Sequence, residues 1–156
     1  MTRAIYGLTL FAALGSGLMA GVFFTFSTFV MTALARLPSE QGIAAMQSIN
    51  VVVINPSFGG AFFGTATACV LLAVIALVRR RMSGAAWLLV GSVLYLAGTF
   101  AVTIVFNVPL NDALAAVQPA SAEGLWTRYV ATWTIWNHVR TAAAFLASAS
   151  FIVALR

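Results

Sequence analysis

Most of the chain's polar chemistry sits in nine residues. The run W-T-I-W-N-H-V-R-T, Trp133 to Thr141, packs an amide (Asn137), the only histidine (His138), an arginine (Arg140) and a threonine (Thr141) into five positions. It leads directly into the apolar stretch A-A-A-F-L-A-S-A-S-F-I-V-A-L. Ionisable groups at the edge of a hydrocarbon slab are costly, and a cluster of them there marks a functional site by default. On a helix that advances 100° per residue, with Trp133 at zero, Arg140 falls near about −20°, Asn137 near about 40°, Thr141 near about 80° and His138 near about 140°. Asn137 and Thr141 lie central, while His138 and Arg140 flank them and can bracket one ligand without touching each other.

A second polar group, N-V-P-L-N-D, supplies Asn107, Asn111 and Asp112 about 25 residues upstream, and it is expected at the same membrane level. An arginine withdrawn from water needs a partner, and Asp112 is the carboxylate best placed to be it. Spacing alone leaves three readings open: an Arg140–Asp112 tie that locks two helices, a ligand or catalytic site, and snorkelling of Arg140 to the interface. One histidine and one cysteine (Cys69, within an apolar run) do not make a structural metal site. There is no phosphate loop, serine–histidine–acid set or flavin fingerprint. Trp126, Trp133 and Trp136 suit an interfacial belt or an aromatic pocket.

The elements that must position these groups are membrane helices. The chain has 156 residues, of which 62% are hydrophobic and 7% charged, against about 25% charged in soluble domains. A single four-helix domain over residues 1–156 is expected: an all-α up-down bundle of four crossings, with a short interfacial helix between the first two. The spans run from Ile5 to Leu34, about Phe58 to Val78, Ala85 to Phe106, and about Ala122 to Leu155, with Ser121 near the start of the last. Pro38 stops the first span and Ser39 is the expected cap of the interfacial helix, on which Ile43, Met46, Ile49 and Asn50 share a face. Asn55-Pro56 marks a break. Thr25, Ser27 and Thr28 either bond to their own preceding turn or line a pocket. Gly15, Gly17 and Gly21 let a backbone approach closely, and that face suits a dimer as well as an intramolecular contact.

The net charge of +5 is carried by arginine, with Arg79, Arg80 and Arg81 consecutive. Basic residues lying between apolar spans report topology and exclude a nucleic-acid partner. The bias puts the triplet and both termini in the cytoplasm and gathers the polar motifs at the opposite end.

The motifs N-V-P-L-N-D and W-x-x-W-N-H-V-R-T, with M-Q-S-I-N-x-x-x-I-N-P-S-F after the first span, resemble the anthrone oxygenase-like membrane proteins. The resemblance covers essentially the whole chain. The family includes fungal polyketide enzymes that oxidise anthrones to anthraquinones, and bacterial members that this chain is similar to, which implies a bacterial inner membrane. It implies an oxygenase that uses O2 without metal, flavin or other cofactor, on a small aromatic hydrophobic ligand. In the roles that follow, His138 is the base. Arg140 holds the substrate oxyanion or nascent superoxide, and Asn137 and Asn111 bond to the substrate oxygens. Asp112 orients Arg140 or His138, Trp133 and Trp136 flank the flat ring, and Asn107, Thr141, Asn50 and Asn55 contribute to binding. The competing class is a non-catalytic membrane protein that binds a hydrophobic ligand or serves as an accessory subunit.

Overall fold

The computed structural model describes residues 1–118 and 123–156, and the described residues are helical with no strand. Five helices follow in order. Helix α1 spans Arg3–Ala35, α2 Ser39–Val52, α3 Pro56–Val78, α4 Ala85–Ala115 and α5 Glu123–Ala154. Three of them (α1, α3 and α4) are long and apolar enough to cross a membrane. Although α5 has 32 residues, it is not among the three, because Asn137, His138 and Arg140 interrupt its apolar stretch. Of the four stretches expected to cross, three therefore meet this measure among the described residues.

Local chemistry sets the ends. Thr2 caps α1 by accepting from the Ile5 amide at 3.4 Å. The cap of α2 is Pro38, not Ser39, and Ser39 is the first helical residue with no capping bond. Asn55 caps α3: its Oδ1 accepts from the Phe58 amide at 3.0 Å, its Nδ2 donates to the Val52 carbonyl at 3.0 Å, and Pro56 begins the helix, where a missing N–H costs nothing. The Ser121 position lies outside the described residues. Between α3 and α4, Gly84 turns the chain with φ of 81°, and a Cβ there would meet the Ala154 carbonyl at 2.9 Å. The arginine turn therefore lies beside the end of α5.

Two of the long helices are not α-helical throughout. Helix α1 widens to π geometry at Phe26–Val30, and α4 does so at Leu94–Ala101 and Thr103–Asn107. The span expected to stop at Phe106 runs on to Ala115, so N-V-P-L-N-D lies within the helix and does not end it. Pro109 has no N–H to give the preceding turn, and the wide turn at Thr103–Asn107 lies immediately before it.

Helix α5 packs along α1 and α4, and α3 packs against α1 and α4. Antiparallel neighbours are fixed by paired contacts: Ser148 with the Ala13 carbonyl and Asn137 with that of Phe23 join α5 to α1. Helix α4 comes close to α5 at Gly98, where a Cβ would stand 2.5 Å from that of Ala143. The interior divides in two. One cluster, with Leu72, Leu88, Tyr95 and Phe151, joins the halves of the long helices nearer the arginine turn. The other, with Met31, Ile43, Met46, Leu114, Trp126 and Tyr129, lies under α2. Gln47 holds α2 there by donating to the carbonyls of Leu114 (2.8 Å) and Val117 (3.2 Å). Leu14, Leu18, Phe24, Val74 and Phe145 are exposed on the outside, which suits lipid and not water.

Candidate functional site

Between the two clusters α5 and the two long helices packed along it turn polar: Ser27 on α1, Thr99, Thr103 and Asn107 on α4, and Asn137 to Thr141 on α5. All three π segments coincide with this layer or adjoin it, and such segments recur at functional sites.

Asn137 is fully buried and uses its whole amide. Nδ2 donates to the Phe23 carbonyl at 2.7 Å and to Ser27 Oγ at 2.8 Å, and Oδ1 accepts from Arg140 Nη2 at 2.7 Å. Because a guanidinium only donates, the amide has one orientation that works. Phe23 stands just ahead of the π segment, and its carbonyl also accepts from the Phe26 N–H. Thr141 donates to the Asn137 carbonyl at 2.8 Å, so its single hydrogen is used. Ser27 must therefore donate to Thr141 Oγ1, 3.0 Å away. The result is a directed chain from Arg140 through Asn137 and Ser27 to Thr141, polarised from its charged end.

Arg140 is 5% exposed. Its second bond goes to Thr103 Oγ1 at 3.3 Å, and its Cζ stands 4.3 Å from the Phe23 ring centroid and 5.0 Å from that of Trp133. Ring faces attract a desolvated cation. The expected tie to Asp112 is absent. Asp112 is exposed, and Arg140 takes neutral oxygens and aromatic faces instead, because its side chain runs inward between α1 and α4. Asp112 therefore does not orient Arg140.

His138 lies on the other side of Asn137, exposed, on an open groove between α1 and α5 of ≈ 640 Å³. The groove floor is Gly17, Ala20 and Gly21, Phe24 and Phe145 stand along it, and Ser27, Thr141 and His138 are polar groups on its wall. This volume falls in the roughly 300–1,000 Å³ range of small-molecule sites. Imidazole and guanidinium thus face different spaces, joined by the Asn137–Ser27–Thr141 chain.

The remaining expected residues separate. Asn111 is an internal joint, since its Oδ1 accepts from both Tyr129 Oη and Trp133 Nε1 at 2.8 Å. Trp133 is buried in the layer and packs on Phe26 at 5.6 Å. Trp136 stacks on Phe106 with centroids 3.6 Å apart. The two indoles therefore have separate protein partners and do not form one slot, and Trp126, 3% exposed, is no interfacial anchor. Asn107, buried, donates to the Trp133 carbonyl at 3.3 Å. Asn50, half-buried on α2, is in the neighbourhood of Tyr129. Asn55 is the exposed cap of α3, apart from the layer. Sequence reasoning missed Ser27 as a bonded partner, and Thr103 and Tyr129 altogether. The hydroxyl-rich run T-F-S-T was the signal for the first, as Thr25 and Thr28 bond to their own preceding turn and Ser27 does not.

A family model described as anthrone oxygenase matches residues 55–150. The chain belongs to the anthrone oxygenase family. The match takes in α4 and the polar part of α5, and so Thr103, Asn107, Asn111, Asn137, His138 and Arg140; Ser27 and Asn50 lie before it. Comparison with curated proteins and with solved structures found no match.

Proposed function

We propose that this family member is an integral membrane oxygenase that converts an anthrone-like polycyclic phenolic ketone to a quinone with O2, without metal or flavin. In this reading all four long helices cross the membrane, alternating up and down. The arginine turn and both termini are cytoplasmic, and the membrane is a bacterial inner membrane. Family membership supports the oxygenase class. The observation that carries the site is the groove, an apolar trough open to lipid, with an imidazole and a hydroxyl pair backed by a buried cation that has no carboxylate partner among the described residues.

The substrate is apolar and reaches the groove from the bilayer. Its flat body lies over Gly17, Ala20 and Gly21, with Phe24 and Phe145 along it in place of the tryptophans. An anthrone is acidic at its methylene carbon, because loss of that proton gives an aromatic oxyanion. His138 accepts the proton. Ser27 or Thr141 turns a hydroxyl to the oxyanion, and Arg140, acting through Asn137, raises the donor strength of that chain. The anion gives one electron to O2. Carbon radical and superoxide recombine to a peroxide, which is protonated. Loss of the second methylene hydrogen as a proton, with cleavage of the O–O bond, leaves the quinone carbonyl and water. One O2 is consumed per substrate, with one oxygen atom in the product and one in water.

Oxygen uptake by purified protein supplied with an anthrone tests this. The wild type exceeds the uncatalysed rate, and His138→Ala and Arg140→Ala lose that excess. Uptake at the uncatalysed rate in the wild type assigns the groove to a non-catalytic binder of hydrophobic ligands. Activity that survives both substitutions removes the proposed residues from the chemistry.

A further inference from the structure

Arg3, Arg79, Arg80, Arg81 and Arg156 are five of the chain's eight basic residues, and the fold gathers them at the end of the bundle away from α2. Helices α1 and α5 are antiparallel, with Ser148 bonded to the Ala13 carbonyl and Asn137 to that of Phe23. Arg3, ahead of Ala13, and Arg156, beyond Ser148, therefore stand at one level. Gly84 lies against Ala154, and this contact brings the turn that carries Arg79 to Arg81 to the same level. The three acidic residues are elsewhere: Glu40 in the first turn of α2, Asp112 near the far end of α4 and Glu123 at the start of α5. From Ala85 to Asp112 the helix rises about 40 Å at 1.5 Å per residue. None of these carboxylates reaches the arginine end.

Topology alone asks for positive charge at this end. It does not ask for a cleft, yet the turn has one. An open space of ≈ 480 Å³ is lined by Leu77, Val78, Arg79, Arg80, Arg81 and Met82. Arg80 is committed to the protein: its Nε donates to the Leu77 carbonyl at 3.0 Å, satisfying one of the acceptors left open at the end of α3. Arg79 and Arg81 are exposed, and their side chains have no bonding partner among the described residues. The other wall is apolar, with Leu77 and Val78 48% and 78% exposed. Free guanidiniums beside exposed aliphatic side chains match a molecule with an anionic head and an apolar tail, and guanidinium–phosphate pairs are among the strong charge-assisted bonds. We propose that this cleft binds the phosphodiester headgroup of an anionic phospholipid, with Arg79 and Arg81 on the phosphate and the first acyl carbons on Leu77 and Val78. Arg3 and Arg156 add to the local field without touching the lipid. A choline headgroup brings its own cation to the same arginines and is disfavoured. The site rests on the helices crossing a membrane and not on the oxygenase reading.

Trp87 reports on the cleft. It is 48% exposed and stands in the first turn of α4, just past Gly84, whereas Trp126 and Trp133 are buried and Trp136 is stacked on Phe106. Full-length protein in neutral-detergent micelles receives phosphatidylglycerol or phosphatidylcholine, each with brominated acyl chains, at equal mole fraction. Quenching of Trp fluorescence by phosphatidylglycerol is expected to saturate at a several-fold lower mole fraction than quenching by phosphatidylcholine. Trp87→Phe removes the difference. Arg79→Gln combined with Arg81→Gln raises half-saturation by phosphatidylglycerol about tenfold, and Arg36→Gln combined with Arg128→Gln, exposed at the other end, leaves it unchanged. Added sodium chloride weakens the phosphatidylglycerol signal of the wild type and spares that of phosphatidylcholine, which tests the charge without any substitution. Equal quenching by the two lipids in the wild type, or a phosphatidylglycerol curve unmoved in the Arg79/Arg81 double variant, overturns the proposal. Displacement of the lipid by millimolar inorganic phosphate at constant ionic strength overturns it too, because the cleft is then a site for soluble phosphate. A wild type inactive on anthrones leaves every one of these results standing, so the two readings fail separately.

Discussion

Replacing Asn137 by alanine tests the polar layer most directly. The substitution removes three bonds at once: two neutral ones to the Phe23 carbonyl and Ser27, and one from the Arg140 guanidinium. Neutral hydrogen bonds between membrane helices contribute about 0.6 kcal/mol on average and up to about 1.7, and a bond to a charged group about 1.5–3 kcal/mol. A loss of about 3–6 kcal/mol is therefore expected. Most of it lies in the guanidinium, which keeps its burial and loses its better acceptor. Reversible unfolding in mixed micelles, followed by helical circular dichroism, measures it. A double-mutant cycle with Arg140→Met isolates the charged bond, with an expected coupling of about 1.5–3 kcal/mol. A loss under about 1 kcal/mol, or a coupling near zero, refutes the claim that Asn137 holds α1, α5 and the guanidinium together.

Other substitutions separate chemistry from scaffold. His138→Ala changes stability by less than about 0.5 kcal/mol, as expected for an exposed side chain, while oxygen uptake on an anthrone falls by about 10²–10⁴-fold if it is the base; both are read on one preparation. Gly98→Val drives a side chain into Ala143, which has no rotamer with which to yield, and lowers stability by about 1–3 kcal/mol in the same unfolding assay. Asn111→Leu strands the Tyr129 hydroxyl and the Trp133 N–H, costing about 1–3 kcal/mol for each donor left buried, and Trp fluorescence shifts with it. Gln47→Leu frees α2 from the end of α4, seen as faster hydrogen exchange and proteolysis across residues 39–52 with the exchange of α3 unchanged.

Hydropathy placed α1, α3 and the start of α4 to within a few residues, because a run of Leu, Val, Phe and Ala without charge has few other fates, but it ended α4 at Phe106 where the helix runs on to Ala115. It placed α2 as well, where Ile43 and Met46 share the buried face. The chain's own periodicity also separated His138 from Arg140, since two residues on a helix lie 160° apart in direction whatever surrounds them. The partners were not legible. Asp112 was chosen for Arg140 by charge, but the choice assumed that the third span ended at N-V-P-L-N-D. A helix continuing to Ala115 carries that carboxylate outward, and Thr103, one hydroxyl among many, takes the contact instead. The pairing of Ser27 with Thr141 spans 114 residues and depends on which face of α1 meets α5. Two tryptophans expected to flank a ligand were already occupied, Trp133 by Asn111 and Trp136 by Phe106.

The three widened turns have a consequence for how the chain tolerates change in length. A π turn holds one residue more than the α turn it replaces, so it works as an insertion absorbed in place. Removing a single residue from Phe26–Val30 lets that stretch relax to ordinary winding. The helix on either side then keeps its facing, whereas the loss of one residue from an ordinary α stretch swings everything beyond it by about 100° about the helix axis. Met31 keeps its present neighbours, and what is at stake is the contacts made inside the widened turn, Ser27's among them. A one-residue deletion here is thus a lighter lesion than the same deletion within Pro56–Val78, which has no widened turn to give up.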